Sequence, residues 1–111
     1  EGGGGGAAEI ELDDDGAGVP LTGLESLPLL VTMAQLGLQP VTDPGALEEA
    51  SASGMLHVAV DSSAHVCGMH QEGPKGVDPA TLVALTETAV VVGKSTLHSL
   101  QMFLSSAAVV Q

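Results

Sequence analysis

The sequence predicts an α+β domain in which strands and a hairpin pack against one long C-terminal helix. Three observations carry that prediction. A marked helix start at Asp78-Pro79 opens a long stretch with apolar residues at helical spacing. Two runs, Met55 to Asp61 and His65 to Gln71, alternate in strand fashion around the turn residues Ser62-Ser63-Ala64. A short apolar run, Leu27 to Leu36, is bounded by Pro28 and Gly37 as a buried strand would be.

Taken in order, residues 1–23 form a flexible Gly-rich acidic segment. Polyglycine from Gly2 to Gly6 is costly to order and suggests a fragment or an internal linker. Ile10 and Leu12 alternate with Glu9 and Glu11, which permits a short edge strand that Asp13-Asp14-Asp15 would end. Residues 24–106 are the domain proper, and 107–111 a tail. After the strand Leu27 to Leu36, a tight turn at Gly37 leads into a return strand, Leu38 to Thr42. Asp43-Pro44-Gly45 stops it, because all three residues favour turns. Ala46 to Ala52 is a short helix. In the hairpin that follows, Met55, His57, Ala59 and Asp61 share one face, and Leu56, Val58 and Val60 the other. Val66, Gly68 and His70 alternate with Cys67, Met69 and Gln71. In the last helix Asp78 is the N-cap and Pro79 the first helical residue. Leu82, Leu85, Ala89, Val92, Thr96, Leu100 and Phe103 recur along one stripe. Ending near Leu104, this helix has roughly 26 residues and spans about 39 Å. Gly93 inside it weakens it by about 1 kcal/mol relative to Ala. Val90-Val91-Val92 widens the apolar surface beyond one face, the pattern of a buried helix or of one covered on its back by a partner.

Composition excludes several classes. The formal charge is −12, with two basic residues against fourteen acidic ones. Nucleic-acid binders neutralise phosphates with Lys and Arg, and this chain has two lysines and no arginine. The same charge repels an anionic membrane surface. No apolar run of about 18 residues is present, so no transmembrane helix is expected. The N-terminus lacks the basic-then-apolar pattern of a signal peptide. Cys67 is the single cysteine, so no internal disulfide framework exists, in keeping with a reducing compartment. With one Phe and no Trp or Tyr, the core must be built from Leu, Val, Ala and Met.

The chemical motifs are weak. Gly93-Lys94-Ser95-Thr96 resembles the end of a phosphate-binding loop, but Thr88 stands where that loop needs its first glycine. His57, His65, His70 and His98 show no zinc-ligand spacing, and no metal site is expected. The serines lack a Gly-x-Ser-x-Gly elbow, and Cys67 on a strand reads as a small core residue. Asp43, Glu48 and Glu49 are the one acidic constellation in a plausible site position. As a site, Glu48 would be solvated and Glu49 would face inward; the simpler reading, which the pattern favours, is first-turn acids interacting with the helix dipole.

Leu27 to Thr32 followed by Gly37, Val41-Thr42-Asp43-Pro44 with Glu48-Glu49, Gly54 to Val60, Val66 to Met69, Gly76 to Pro79 and Val92-Gly93-Lys94 with Leu97-His98 together resemble the second half of an RNase PH-like exosome subunit, in an order and spacing that covers about Ile10 to Leu104. The resemblance implies an RNase PH C-terminal-domain-like fold. It implies assembly with other RNase PH-like exosome subunits into a hetero-hexameric ring, with RNA reached only through that ring, and residence in the nucleus (nucleolus) and cytoplasm. Catalytic members of the family carry Glu-Asp and a second Asp six positions after the first. Glu48-Glu49 occupies the first position here, and Met55 falls on the second. Met can neither take a proton nor hold Mg²⁺.

The resulting expectation is a non-catalytic structural subunit fragment of the exosome core, supporting 3′-to-5′ RNA processing and degradation. It has no catalytic, cofactor-binding or metal residues, and its subunit interface centres on Val90, Val91, Lys94 and Leu97. The alternatives are a phosphorolytic ribonuclease subunit, which would need a carboxylate at or beside Met55, and a free-standing acidic protein-interaction module, which would be stable alone.

Overall fold

Chain order gives β1 (Leu29–Leu36), β2 (Gln39–Thr42), α1 (Ala46–Ser51), β3 (Gly54–Val60), β4 (Val66–Glu72) and α2 (Pro79–Val109), preceded by a 3-10 turn at Leu24–Ser26. The structure is a computed structural model and describes residues 8–12, 16 and 18–109; Gly2 to Gly6 and Asp13 to Asp15 lie outside the described residues. The strands form one antiparallel sheet in the order β2-β1-β3-β4. Gly37 turns β1 into β2 with φ +64, a conformation that glycine adopts without penalty.

The alternation of β3 sorts its residues as expected. Leu56, Val58 and Val60 are buried, while Met55, His57 and Ala59 are half-buried on the other face. Helix α2 crosses the first face and packs on β1 and β3. The core is Val31, Met33, Leu56, Val58, Val60, Leu85 and Ala89, flanked by Leu29, Val77, Leu82, Val90 and Val92. Each fully buried Leu or Met contributes about 1.5–3 kcal/mol relative to exposure. Gly93 has a positive role that propensity hides. A Cβ there would lie 2.9 Å from Val60 Cβ and 3.2 Å from Val31 Cγ2, so its bare backbone lets α2 sit down on the sheet.

Asp78 caps α2 as predicted. Its carboxylate accepts from Thr81 N at 3.3 Å and from the Thr81 hydroxyl, and its carbonyl accepts from Leu82 N at 2.9 Å. These bonds, the Thr81 hydroxyl foremost, hold the Asp78 carboxyl below its ordinary value. The β3–β4 turn is held by Asp61, whose side chain accepts from Ser63 N at 2.9 Å and His65 N at 2.8 Å. The bond from the His65 backbone is the leading cause of a lowered Asp61 pKa.

Several expectations need correction. Helix α2 has 31 residues and runs to Val109, past the expected end at Leu104 and into the expected tail. At 1.5 Å per residue it is about 46 Å long. The sheet is too narrow to cover it. Leu100, Phe103 and Leu104 continue the core-facing side at helical spacing beyond Leu97, yet are 44%, 68% and 56% exposed. Thr96, expected in the buried stripe, is exposed for the same reason. Over Pro79–Ala107, α2 is also long and apolar enough, by length and composition alone, to cross a bilayer, which the sequence reading did not expect. Its polar residues are mostly small Ser and Thr, which leave the average apolar; in this fold its first turns cover the sheet instead. Ile10 and Leu12 are exposed and join no strand pairing among the described residues, so β2 and β4 are the edges of the sheet. Cys67 is exposed rather than buried. It is the extra residue of an irregularity in which Ala59 pairs with Gly68 but Val60 with Val66. That irregularity sets Val66 opposite Val60 and breaks the expected grouping of Val66 with Gly68 and His70.

Candidate functional site

Two regions of the domain gather polar and apolar groups in a way that chemistry or a partner could use. The first lies on the back of α2. A cleft of about 400 Å³ opens between the β3–β4 turn and the helix, lined by Ser62, Val91, Lys94, Leu97 and His98, with Ser95 and Gln101 beside them. Val91, Ser95, His98 and Met102 follow one another at helical spacing, which puts them on one side. Of the residues predicted for an interface, Val91 and Lys94 are exposed on this cleft, and Leu97 is buried at its floor with 8% exposure. Val90 is placed elsewhere: it packs half-buried against the core cluster. The Gly93-Lys94-Ser95-Thr96 motif lies within continuous helix, so no loop exists there to wrap a phosphate.

The acidic constellation does not converge. Glu48 is exposed, and its Oε1 accepts from Gly45 N at 2.9 Å, pinning the start of α1. Glu49 is exposed and does not face inward, because α1 has no buried side. Asp43 is exposed with φ +52, its backbone N donating to Thr32 O at 2.9 Å. Met55 is half-buried on β3, opposite Ala34 on one side and Glu72 on the other.

The second region is one that spacing in the sequence does not reveal. On the sheet face away from α2, Thr32 Oγ1 lies 2.9 Å from His57 Nδ1, and His57 Nε2 lies 3.1 Å from Glu72 Oε1. This chain of hydrogen bonds crosses β1, β3 and β4. His70 stacks on His57 with ring centroids 6.0 Å apart. The available signal was the hairpin register, which sets His57 opposite His70 once the turn is placed at Ser62-Ser63-Ala64.

A four-stranded antiparallel sheet in the order β2-β1-β3-β4, covered on one face by a long helix, makes this an α+β domain. Residues 26–92 match the 3′ exoribonuclease family, domain 2. The chain belongs to that family. It is 33% identical over 89 residues to a Dictyostelium discoideum protein described as a candidate exosome complex exonuclease RRP42, a match that covers 80% of this chain and 28% of that protein. The chain therefore spans little more than a quarter of the curated relative's length. Among solved structures, it superposes on a chain of the Archaeoglobus fulgidus exosome with RNA bound to the active site, with TM-score 0.60 and 19% identity, covering 66% of this chain and 29% of that one. An archaeal exosome core chain gives TM-score 0.57 and 20% identity, covering 62% and 28%. At those identities the solved structures speak to the fold.

Proposed function

We propose that this chain is a non-catalytic structural segment of an exosome-type ring, docking onto other RNase PH-like subunits in a hetero-hexamer and supporting 3′-to-5′ RNA processing and degradation. The observation that carries the reading is the uncovered apolar side of α2. Its core-facing stripe runs on through Leu100, Phe103 and Leu104 after the sheet ends. An apolar stripe continuous with a core, in a chain that spans only part of its relative, is a surface built to be covered. Val91 and Met102, 69% and 62% exposed, add an apolar back around the cleft.

The chemistry of the described residues favours support over catalysis. Met55 stands where the family's catalytic members carry a carboxylate, and Glu48 is engaged in holding α1. RNA would be met through the assembled ring rather than by this acidic segment. The corresponding location is the nucleus, including the nucleolus, and the cytoplasm.

The test of the non-catalytic part is phosphate-dependent shortening of a labelled single-stranded RNA by the co-expressed assembly. Met55→Asp in this chain is expected to leave the rate unchanged, because no arginine is present to hold phosphate or RNA. Glu49→Gln is likewise expected to leave the rate unchanged, and a rate lowered by Glu49→Gln would contradict the reading.

A further inference from the structure

We propose that the cleft on the back of α2 reads an acidic segment of a neighbouring RNase PH-like subunit: it takes one apolar side chain flanked by a carboxylate, and Lys94 holds the carboxylate. The inference rests on the docking reading above and adds the chemistry that the neighbour must present.

The cleft, about 400 Å³ in volume, joins an apolar base to a polar rim. Leu97 is buried at its floor, and the exposed Val91 forms one wall. Lys94, Ser95, His98 and Gln101 complete the helical side, and each carries a group able to donate a hydrogen bond. Steps of three and four residues from Val91 through Lys94 and Ser95 to His98 and Gln101 set these side chains on one side of α2. A concave apolar surface with a few convergent polar groups is the general form of a recognition pocket. Leu97 belongs both to this floor and to the apolar stripe that runs on through Leu100 and Leu104, so a subunit that covers the stripe also reaches the cleft.

Charge selects the occupant. The chain carries fourteen acidic residues against two lysines, yet no Asp or Glu lines this cleft and one of the two lysines does. The carboxylate of Asp61, next in sequence to the cleft residue Ser62, is engaged within the β3–β4 turn, where it accepts from Ser63 N and His65 N. Among the described residues the Lys94 ammonium makes no ion pair. An ammonium without a carboxylate, in so acidic a chain, is where an incoming acid meets attraction rather than repulsion. A second copy of this chain is disfavoured as the source, because two bodies of formal charge −12 repel each other. Interfacial charge pairs fix register and reject wrong partners more than they add affinity. Lys94 thus sets the register in which the apolar side of α2 is covered.

The test is carbodiimide coupling of this chain co-expressed with RNase PH-like exosome subunits, followed by peptide mass mapping, since that reagent joins an amine to a carboxylate in contact with it. Lys94 is expected to couple to an Asp or Glu of a neighbouring subunit. Lys94→Glu is expected to weaken the affinity of this chain for the assembly at least about 10-fold, through like-charge contact. Lys94→Met is expected to lessen the dependence of that affinity on salt. Lys94 is exposed, so both substitutions leave the core intact. Lys75→Glu makes the same change in net charge outside the cleft and is expected to bind as the parent does. An assembly that forms without coupling at Lys94 and holds the Lys94→Glu chain as tightly as the parent overturns the inference and leaves the docking reading standing. Coupling of Lys94 to a second copy of this chain also overturns it. A parent chain that joins none of the subunits removes the docking reading and the inference with it.

Discussion

Replacing Gly93 with alanine sets two effects of known size against each other. In an exposed helix the change would stabilise by about 1 kcal/mol, since alanine loses less backbone entropy than glycine. At Gly93 the added Cβ would stand 2.9 Å from Val60 Cβ and 3.2 Å from both Val31 Cγ2 and Val60 Cγ2. Ordinary carbon contacts are about 3.5–4.0 Å, so α2 must lift by roughly 0.5–1 Å. The neighbours cannot yield instead: Val60 Cβ is fixed to the backbone of a central strand, and both valines are stiff at χ1. Lifting α2 also loosens Leu85 and Ala89, which share the same interface. Overpacking of this kind costs about 1–3 kcal/mol, and the opposed propensity term leaves a net destabilisation of up to about 2 kcal/mol. Urea unfolding followed by circular dichroism reads it as a lowered midpoint at unchanged slope. Ser99→Ala on the exposed side of α2 is the control, expected to be neutral or slightly stabilising. A Gly93→Ala chain more stable than the parent by about 1 kcal/mol, the gain of an exposed helix position, would refute the close-approach argument.

Three further outcomes are expected. Leu56→Ala, at a position 1% exposed in the centre of β3, should destabilise by about 2–5 kcal/mol, read from the same urea midpoint. Ala64 is held at φ +65 in the β3–β4 turn; Ala64→Gly removes that strain and should raise Tm, with a net gain of about 0.5–1 kcal/mol after glycine's entropic penalty. Asp61 and Asp78 both have folded-state pKa values below the ordinary 3.8. Their stabilising contributions are fully present above that value and are lost as pH falls through the lowered ones. Acid titration of Tm should therefore drop less steeply below pH 3.8 in the Asp61→Asn, Asp78→Asn double variant than in the parent, and identical profiles would rule these carboxylates out as the acid-sensitive groups.

Local chemistry made much of the fold legible. Asp78 and Pro79 announced α2, Gly37 announced the β1–β2 turn, and the period-two pattern of β3 named its buried face residue by residue. What the sequence could not show depended on tertiary dimensions. The apolar period of α2 runs unbroken to Leu104, but whether a residue in it is covered depends on the width of the sheet, which ends beneath Leu97. The cost of Gly93 was visible as a propensity, and its purpose only as a distance to Val60. Cys67 looked like a core residue because nothing local marks a strand as an edge or predicts the irregular pairing beside Ala59 and Val60. Ile10 and Leu12 had the right alternation for a strand but no pairing partner among the described residues. At the candidate site, Val91 and Lys94 were legible from the Val90-Val91-Val92 run and its neighbour. The Thr32–His57–Glu72 chain was not, since its members come from three strands and meet only through register.

The central claim is tested most directly by co-expressing the tagged chain with RNase PH-like exosome subunits and measuring the mass of the co-eluting species by size-exclusion chromatography with light scattering. The account predicts a ring-sized species containing this chain, lost from a variant in which both Val91→Asp and Phe103→Asp remove the apolar surface of α2. A folded monomer that joins none of those subunits, or a ring that retains the doubly substituted chain, would contradict it.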